Sequence, residues 1–229
     1  MPTPVLLFDV NETLLDLSAL NPLFRSAFGD SAVRQQWFLT LQSLWMTGML
    51  TGRYRPFDEL ARVALRMTAS RQRMELSAAD ESAILKGMKE LPPHADVPAA
   101  LALLRSSGLR LAALTNGTPA SARAQLRYAE LTPYFEQVLS ADTVKRYKPA
   151  PEPYLYAASR LGVLPRSVDL VSVHAWDIAG ARAAGLFTVF VERPGHPPNP
   201  SEPRADIVVS DLGELARNIA ARRQSRRRR

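Results

Sequence analysis

The chain has 229 residues, a formal net charge of +7 and a pI near 10.1, with no cysteine and three scattered histidines, His94, His174 and His196. That composition excludes disulfides, thiolate catalysis and cysteine-ligated metals, and it argues against a histidine-rich metal site. No apolar run approaches the roughly 18 residues of a membrane span and the start lacks the basic-then-apolar layout of a leader, so a soluble cytoplasmic protein of one or two domains is expected.

Val5-Leu6-Leu7-Phe8 is an apolar run of strand length that stops at a carboxylate, Asp9, with a hydroxyl, Thr13, one turn further on. A short, continuously apolar run reads as a strand buried on both faces of a parallel sheet, and its carboxyl end opens into the crevice such folds use for ligands. Asp9 also fits a plain turn cap, since Asp favours such places. After Leu14 the apolar spacing changes to three and four: Leu17, Leu20 and Leu23, then Val33 to Leu50, Phe57 to Met67 and Ala78 to Met88. This predicts a helical insertion over 15–93. In it, the aromatic cluster Trp37, Phe38 and Trp45 reads as core more readily than as a substrate cage.

Leu91-Pro92-Pro93 breaks the pattern, and helix and strand alternate from there. Helices are predicted over 97–105, 119–128, 151–161 and 177–184, and strands over 109–114, 137–140, 168–173, 187–191 and 207–209. Repeated βα units imply an α/β fold, a Rossmann-like doubly wound parallel sheet formed by residues 1–14 and 94–215 and interrupted by the helical cap. Pro194 to Pro203 is read as an irregular loop. Six arginines, Arg222, Arg223 and Arg226 to Arg229, lie in the last eight residues, and without them the formal charge falls to +1. Residues 216–229 are therefore expected to be a solvated, disordered basic tail, able to touch nucleic acid without specificity.

Three further strand ends carry polar residues of catalytic type. Thr115-Asn116-Gly117 follows the second strand, Lys145-Arg146-Tyr147-Lys148-Pro149 follows the third with Tyr154 beyond it, and Ser172-Val173-His174-Ala175-Trp176-Asp177 follows the fourth. Asp9, Thr115, Lys148 and Asp177, in that order, resemble the four motifs of the haloacid dehalogenase superfamily, over residues 1 to about 215. The phosphatases of that superfamily carry Asp-x-Asp in the first motif, where this chain has Asn11, a residue unable to donate and recover a proton. They also pair acidic residues in the fourth motif to bind magnesium, where Ser172 takes the first position. The chain is more similar to the type II 2-haloacid dehalogenases, which read Asp-x-Tyr-Gly-Thr-Leu, Ser-Asn-Gly, Tyr-Lys-Pro with a later Tyr, and Ser-x-Asn-Ala-Trp-Asp.

The resemblance implies a hydrolase of short 2-halo carboxylic acids that works through an aspartyl ester without metal or other cofactor. Asp9 is the expected nucleophile, Lys148 keeps it ionised, Asp177 orients the hydrolytic water and Thr13 positions the charged groups. Thr115 and Asn116 are expected on the substrate carboxylate or halide, with Tyr154 and Ser172 positioning, and Trp176 and the cap as an apolar wall. Asn11, Phe38 and His174 complete the substrate-facing set at positions where the chain departs from the branch. Members have Tyr-Gly at Asn11-Glu12 and Asn at His174. They also carry, just after a tryptophan, a cap arginine that cradles the halide. Here Trp37 is followed by Phe38, and Arg34, one turn earlier, is not expected to replace that arginine. His174 reads as a hydrogen-bonding residue behind the site or as an acid toward a leaving group other than halide, which would admit another small carboxylate electrophile such as a strained ring amine. A Mg²⁺-dependent small-molecule phosphatase is the first alternative; a non-catalytic nucleic-acid binder acting through the arginine tail is a remoter one. The partners expected are a small-molecule substrate and, as relatives are often dimers, a second copy of the chain; no specific nucleic acid and no membrane are expected.

Overall fold

A computed structural model describes the backbone of residues 5–227 and the side chains of residues 5–221. The first strand, β1 (Val5–Phe8), is followed by a short 3-10 turn and four helices, α1 (Asn21–Phe28), α2 (Val33–Leu50), α3 (Phe57–Arg71) and α4 (Ala78–Gly87). Strand and helix then alternate: α5 (Val97–Ser106), β2 (Arg110–Thr115), α6 (Pro119–Tyr128), β3 (Gln137–Ser140), α7 (Pro151–Leu161), β4 (Val168–Ser172), α8 (Ala175–Ala183), β5 (Phe187–Val191), β6 (Ile207–Val209) and α9 (Leu212–Arg227). The six strands form one sheet in the order β3-β2-β1-β4-β5-β6, every pair parallel. Among the described residues no helix is long and apolar enough to cross a membrane.

The apolar run of β1 is explained by its central position. Leu6 and Phe8 point into one core with α5, α6, α9 and the inserted helices, while Val5 and Leu7 point into a second core with α7 and α8. A strand covered on both faces has no position for a polar side chain until it ends. The chain order runs outward from β1 in both directions, through β2 to β3 and through β4 to β6. Its carboxyl end is therefore the switch point where open sheets form a ligand crevice.

The cap leaves and rejoins the sheet at one place. Asp16 N–H donates to the Pro92 carbonyl at 2.8 Å and His94 N–H donates to the Leu14 carbonyl at 3.0 Å, so the two connecting segments run side by side. Within the cap, α2 and α3 pack through Trp37, Leu41, Trp45, Leu60, Ala61 and Ala64, and Trp37 Nε1 donates to the Ala61 carbonyl at 3.0 Å.

The expected disordered tail from residue 216 needs correction. Helix α9 carries Leu212, Leu215, Ala216 and Ile219 at spacings of three and four onto the core beside α5, an apolar stripe that the surrounding arginines mask in composition. Arg228 and Arg229 lie outside the described residues.

Asp169 on β4 is a local liability. Burial, and next the Asp206 carboxylate, push its carboxyl up from 3.8 to about 6. A group that holds its proton more tightly when folded contributes stability below its unfolded value and loses it as pH rises through the folded one. Asp169→Asn should therefore stabilise the protein by about 2 kcal/mol at pH 8 and far less at pH 4. Urea unfolding at the two pH values checks this, and equal midpoints for both proteins at pH 8 would refute it.

Candidate active site

Because β1, β2 and β4 are parallel neighbours, their carboxyl ends lie side by side and the side chains that follow them converge. Asp9 extends the β1 ladder by one step, its N–H donating to the Val171 carbonyl at 3.0 Å. The chain then turns, with the Leu14 and Leu15 N–H groups both donating to the Val10 carbonyl, which brings Thr13 back to the carboxylate. Thr13 Oγ1 donates to Asp9 Oδ2 at 2.7 Å, and Lys148 Nζ donates to Asp9 Oδ1 at 2.8 Å. The same ammonium donates to Asp177 Oδ2 at 2.7 Å and to the Leu114 carbonyl at 3.1 Å, which engages all three of its protons. Tyr154 OH donates to the other Asp177 oxygen, Oδ1, at 2.6 Å.

These groups are almost wholly out of water: Asp9 is 4% exposed, and Lys148 and Asp177 are fully buried. Burial acts to raise the Asp9 carboxyl. The Lys148 ammonium and then the His174 ring, with hydrogen bonds from Lys148 and Thr13, outweigh it and hold Asp9 below the usual carboxylate range. Lys148 itself is held above the ordinary lysine value, because Asp177 and Asp9 together overcome the burial that would lower it. Burial, reinforced by Asp177, keeps the Tyr154 hydroxyl protonated and so a donor. The result is a desolvated, ionised carboxylate at the end of a rigid strand, the arrangement of a nucleophile.

The loops that carry these groups are braced by the polar residues around them. Asn116, expected on the substrate, directs its side chain elsewhere: Oδ1 accepts the Lys148 N–H at 2.8 Å and Nδ2 donates to the Lys148 carbonyl at 3.2 Å. It clamps the backbone of the residue whose ammonium meets Asp9. Thr115 Oγ1 accepts the Gly117 N–H at 3.0 Å, and Ser172 Oγ accepts the His174 N–H at 3.1 Å, so both hydroxyls shape the turns after their strands. Gly180 on α8 lets the helix approach this loop. A Cβ there would lie 2.5 Å from the Pro149 carbonyl oxygen and 2.7 Å from Tyr154 OH. Gly180→Ala should therefore destabilise the protein by about 1–3 kcal/mol and slow turnover by moving Tyr154. Thermal unfolding and steady-state rates check this, and a variant as stable and as fast as the parent would refute it.

On the cap side, the structure brings together residues that the sequence offers singly. Asn11 is pinned by α6, its Oδ1 accepting from Gln125 Nε2 at 2.9 Å, while that nitrogen also donates to the Met88 carbonyl at 2.7 Å. His174 lies flat against Trp176, ring centroids 4.9 Å apart, with the Phe38 ring at 6.4 Å. Its Nε2 is 3.7 Å from Asp9 Oδ2 and 3.6 Å from Glu12 Oε2. A cavity of about 280 Å³ is bounded here by Glu12, Arg34, Phe38, His174, Trp176 and His196. Arg34 thus lines the same cavity as Phe38, with Nη1 at 3.7 Å from Glu12 Oε1. A second cavity of about 390 Å³ reaches Asn11 from the cap between Phe57, Met88 and Gln125. A further hollow, of about 820 Å³, lies behind α8 against the 198–205 segment and touches none of the site carboxylates.

A family model for haloacid dehalogenase-like hydrolases matches residues 3–185, which include all four strand-end motifs. The chain belongs to this family. Among its relatives, the haloacid dehalogenase-like hydrolase is 32% identical to (S)-2-haloacid dehalogenase 4A of Burkholderia cepacia over 91% of both chains. It is 33% identical to the (S)-2-haloacid dehalogenase of Pseudomonas sp. strain YL over 82% of both. Its structure is similar to that of the L-2-haloacid dehalogenase from Xanthobacter autotrophicus with chloropropionic acid covalently bound, at a TM-score of 0.89 and 25% identity over 95% of this chain and 98% of that one.

Two residues at the hydrolase's site, Gln125 and His196, escape a reading of its sequence, and a third, Glu12, shows there only as a departure from the family pattern. Gln125 carries no motif and is found only because α6 faces the turn after β1. Glu12 is visible as a departure from a family glycine; its φ of 64° is the conformation that glycine suits, so a charged side chain stands there under backbone strain. His196 sits in the Pro-rich loop, where sequence offers no partner for it. Glu12, His174 and His196 each bring one donor atom into a group whose members all lie within 4.8 Å of one another.

Proposed function

We propose that this hydrolase removes halide from short 2-halo carboxylic acids through an ester on Asp9, with chemistry that needs no metal. The observation that carries the reading is the Asp9 carboxylate, buried yet held ionised between Thr13 Oγ1 and Lys148 Nζ. One carboxylate oxygen attacks carbon 2 from the side opposite the halogen; the C–O bond forms as the carbon–halogen bond breaks, and the electron pair leaves with the halide. Water oriented by Asp177 then adds to the Asp9 carboxyl carbon. The bond to the alkyl oxygen breaks, one water proton ends on the 2-hydroxyl of the product and the other passes by way of Asp177 to solvent. Asp9 is thereby restored as the carboxylate.

Lys148 neutralises charge in both steps and Tyr154 holds Asp177. Trp176, His174 and Phe38 form the apolar wall that excludes bulk water, with Arg34 as the nearby cation toward which a substrate carboxylate or leaving halide is drawn. Thr115, Asn116 and Ser172 act through the backbone turns they brace. Asn11, held by Gln125, contributes polar surface rather than the acid that a phosphatase needs at this position. The named activity of the relatives and the covalently bound chloropropionic acid of the Xanthobacter enzyme support this reading. The proposal extends to a cytoplasmic location and a homodimeric assembly, both expectations drawn from the sequence.

The test is halide release by chelator-treated enzyme over a panel of short 2-chloro and 2-bromo acids of each configuration. Release that depends on Asp9 is expected. No halide from any member of the panel would overturn the substrate assignment.

A further inference from the structure

Two of the chain's departures from the family pattern, Glu12 in place of glycine and His174 in place of asparagine, are neighbours in space. His174 Nε2 stands 3.6 Å from Glu12 Oε2, and His196 Nε2, from the Pro-rich loop, stands 3.6 Å from Glu12 Oε1. Metal–ligand bonds of about 2.0–2.1 Å in a tetrahedral Zn²⁺ site place adjacent donor atoms about 3.4 Å apart. Each imidazole therefore stands at close to ligand spacing from one oxygen of the carboxylate, and one donor atom from each of the three residues lies within 4.8 Å of the others, within a small adjustment of a shared ion.

We infer that Glu12, His174 and His196 form a binding site for a borderline divalent transition ion of the Zn²⁺ class, with an open coordination position that suits an anionic oxygen such as a carboxylate.

Two imidazoles and one carboxylate are the donor set such ions favour over Mg²⁺ and Ca²⁺, which take oxygen ligands. Three protein ligands leave one position free, and all three residues line the 280 Å³ cavity with Arg34, Phe38 and Trp176. Two of the three ligands are also held in place by their surroundings. The His174 ring is stacked on Trp176, and the Glu12 backbone is fixed by its own N–H donating to the Leu15 carbonyl at 2.9 Å and by His94 Nε2 at 2.9 Å from its carbonyl. Arg34 is tied to Asn21 Oδ1 through Nε at 2.8 Å, so its guanidinium stays beside Glu12, where it would oppose a bound cation and attract an anionic fourth ligand. On binding, His174 Nε2 exchanges its 3.3 Å contact with the Asn11 carbonyl for the ion.

The site is tested on the untagged full chain, freed of metal by chelator and titrated with ZnCl₂ by calorimetry and with CoCl₂ by visible absorption. One ion per chain is expected, with affinity at least about tenfold weaker in Glu12→Gln and in His196→Ala and retained in Asp9→Asn. Thermal unfolding of each variant without metal checks that it is folded, and His196→Gln offers a second loop variant if His196→Ala is not. Absence of stoichiometric Zn²⁺ binding, binding that survives both ligand substitutions, or binding that depends on Asp9 and is matched by Mg²⁺ would each overturn the inference. None of these readouts uses turnover, so the result stands apart from that of the halide screen.

Discussion

Asp9→Asn is expected to stay folded and to lose halide release by on the order of 10⁴-fold or more, the scale on which enzymes lose rate when a covalent nucleophile is removed. The substitution keeps the side chain's shape and leaves its carbonyl oxygen as an acceptor for Lys148, while Asp177 still pairs with the ammonium at 2.7 Å. What disappears is the anion that forms the ester. A single turnover in ¹⁸O-labelled water with enzyme in excess separates the proposed route from direct attack by water on carbon 2. Through an ester, the first product carries an unlabelled oxygen from Asp9 and the label enters the Asp9 carboxylate. Direct attack labels the product instead, and that outcome would remove Asp9 from the covalent role.

Lys148→Met is the second large effect, and it strikes stability as well as rate. The ammonium lies between two carboxylates, 2.8 Å from Asp9 and 2.7 Å from Asp177, at a position with no exposure. Its removal leaves two buried like charges facing each other, a change that costs about 3–5 kcal/mol near pH 7 when one partner of a buried pair is deleted. The pH dependence identifies the cause. In the parent, Asp9 is held low, so its contribution is present above about pH 4 and is lost as pH falls through the folded value. Lys148 is held high, so its contribution is present through neutral pH and is lost only as pH rises past the ordinary lysine range. Without the cation, burial dominates at Asp9 and its carboxyl rises, so the variant loses stability as pH increases. The gap between the two proteins should be small at pH 4 and wide at pH 8 by urea unfolding. A gap independent of pH would mean that lost packing, rather than unpaired charge, is responsible.

The parts of the site that are legible in the sequence are those that a parallel sheet places for free. A parallel strand buried on both faces must turn polar where it ends, and parallel neighbours end together. Asp9, Thr115 and Asp177 therefore announce themselves by position, and Lys148 by the proline after it. The roles of Asn116 and Gln125 are illegible for the opposite reason. Asn116 serves the Lys148 backbone, 32 residues away in the chain, and Gln125 serves Asn11 across 114 residues. Neither pairing leaves a trace in local spacing. His196 is hidden in the same way, since its neighbours Glu12 and His174 arrive from two other segments. The end of the chain misleads through composition: Leu212, Leu215, Ala216 and Ile219 mark a packed helix, but the arginines among and after them resemble a tail.

The position of β1 also governs the order in which the protein can be completed. The strand that carries Asp9 precedes both of its partners in the chain, since its two edges pair with residues 110–113 and 168–171. At a synthesis rate of roughly 5–20 residues per second, this sticky segment waits on the order of ten seconds or more before both edges are covered. The helices of the cap, whose contacts are local, can form meanwhile. The residue on which the chemistry rests is thus made before the strands that enclose it and is among the last in the sheet to reach its working surroundings. Substitutions in β4 that slow its docking should lower the yield of active enzyme from cells more than they lower the stability of the molecules that succeed.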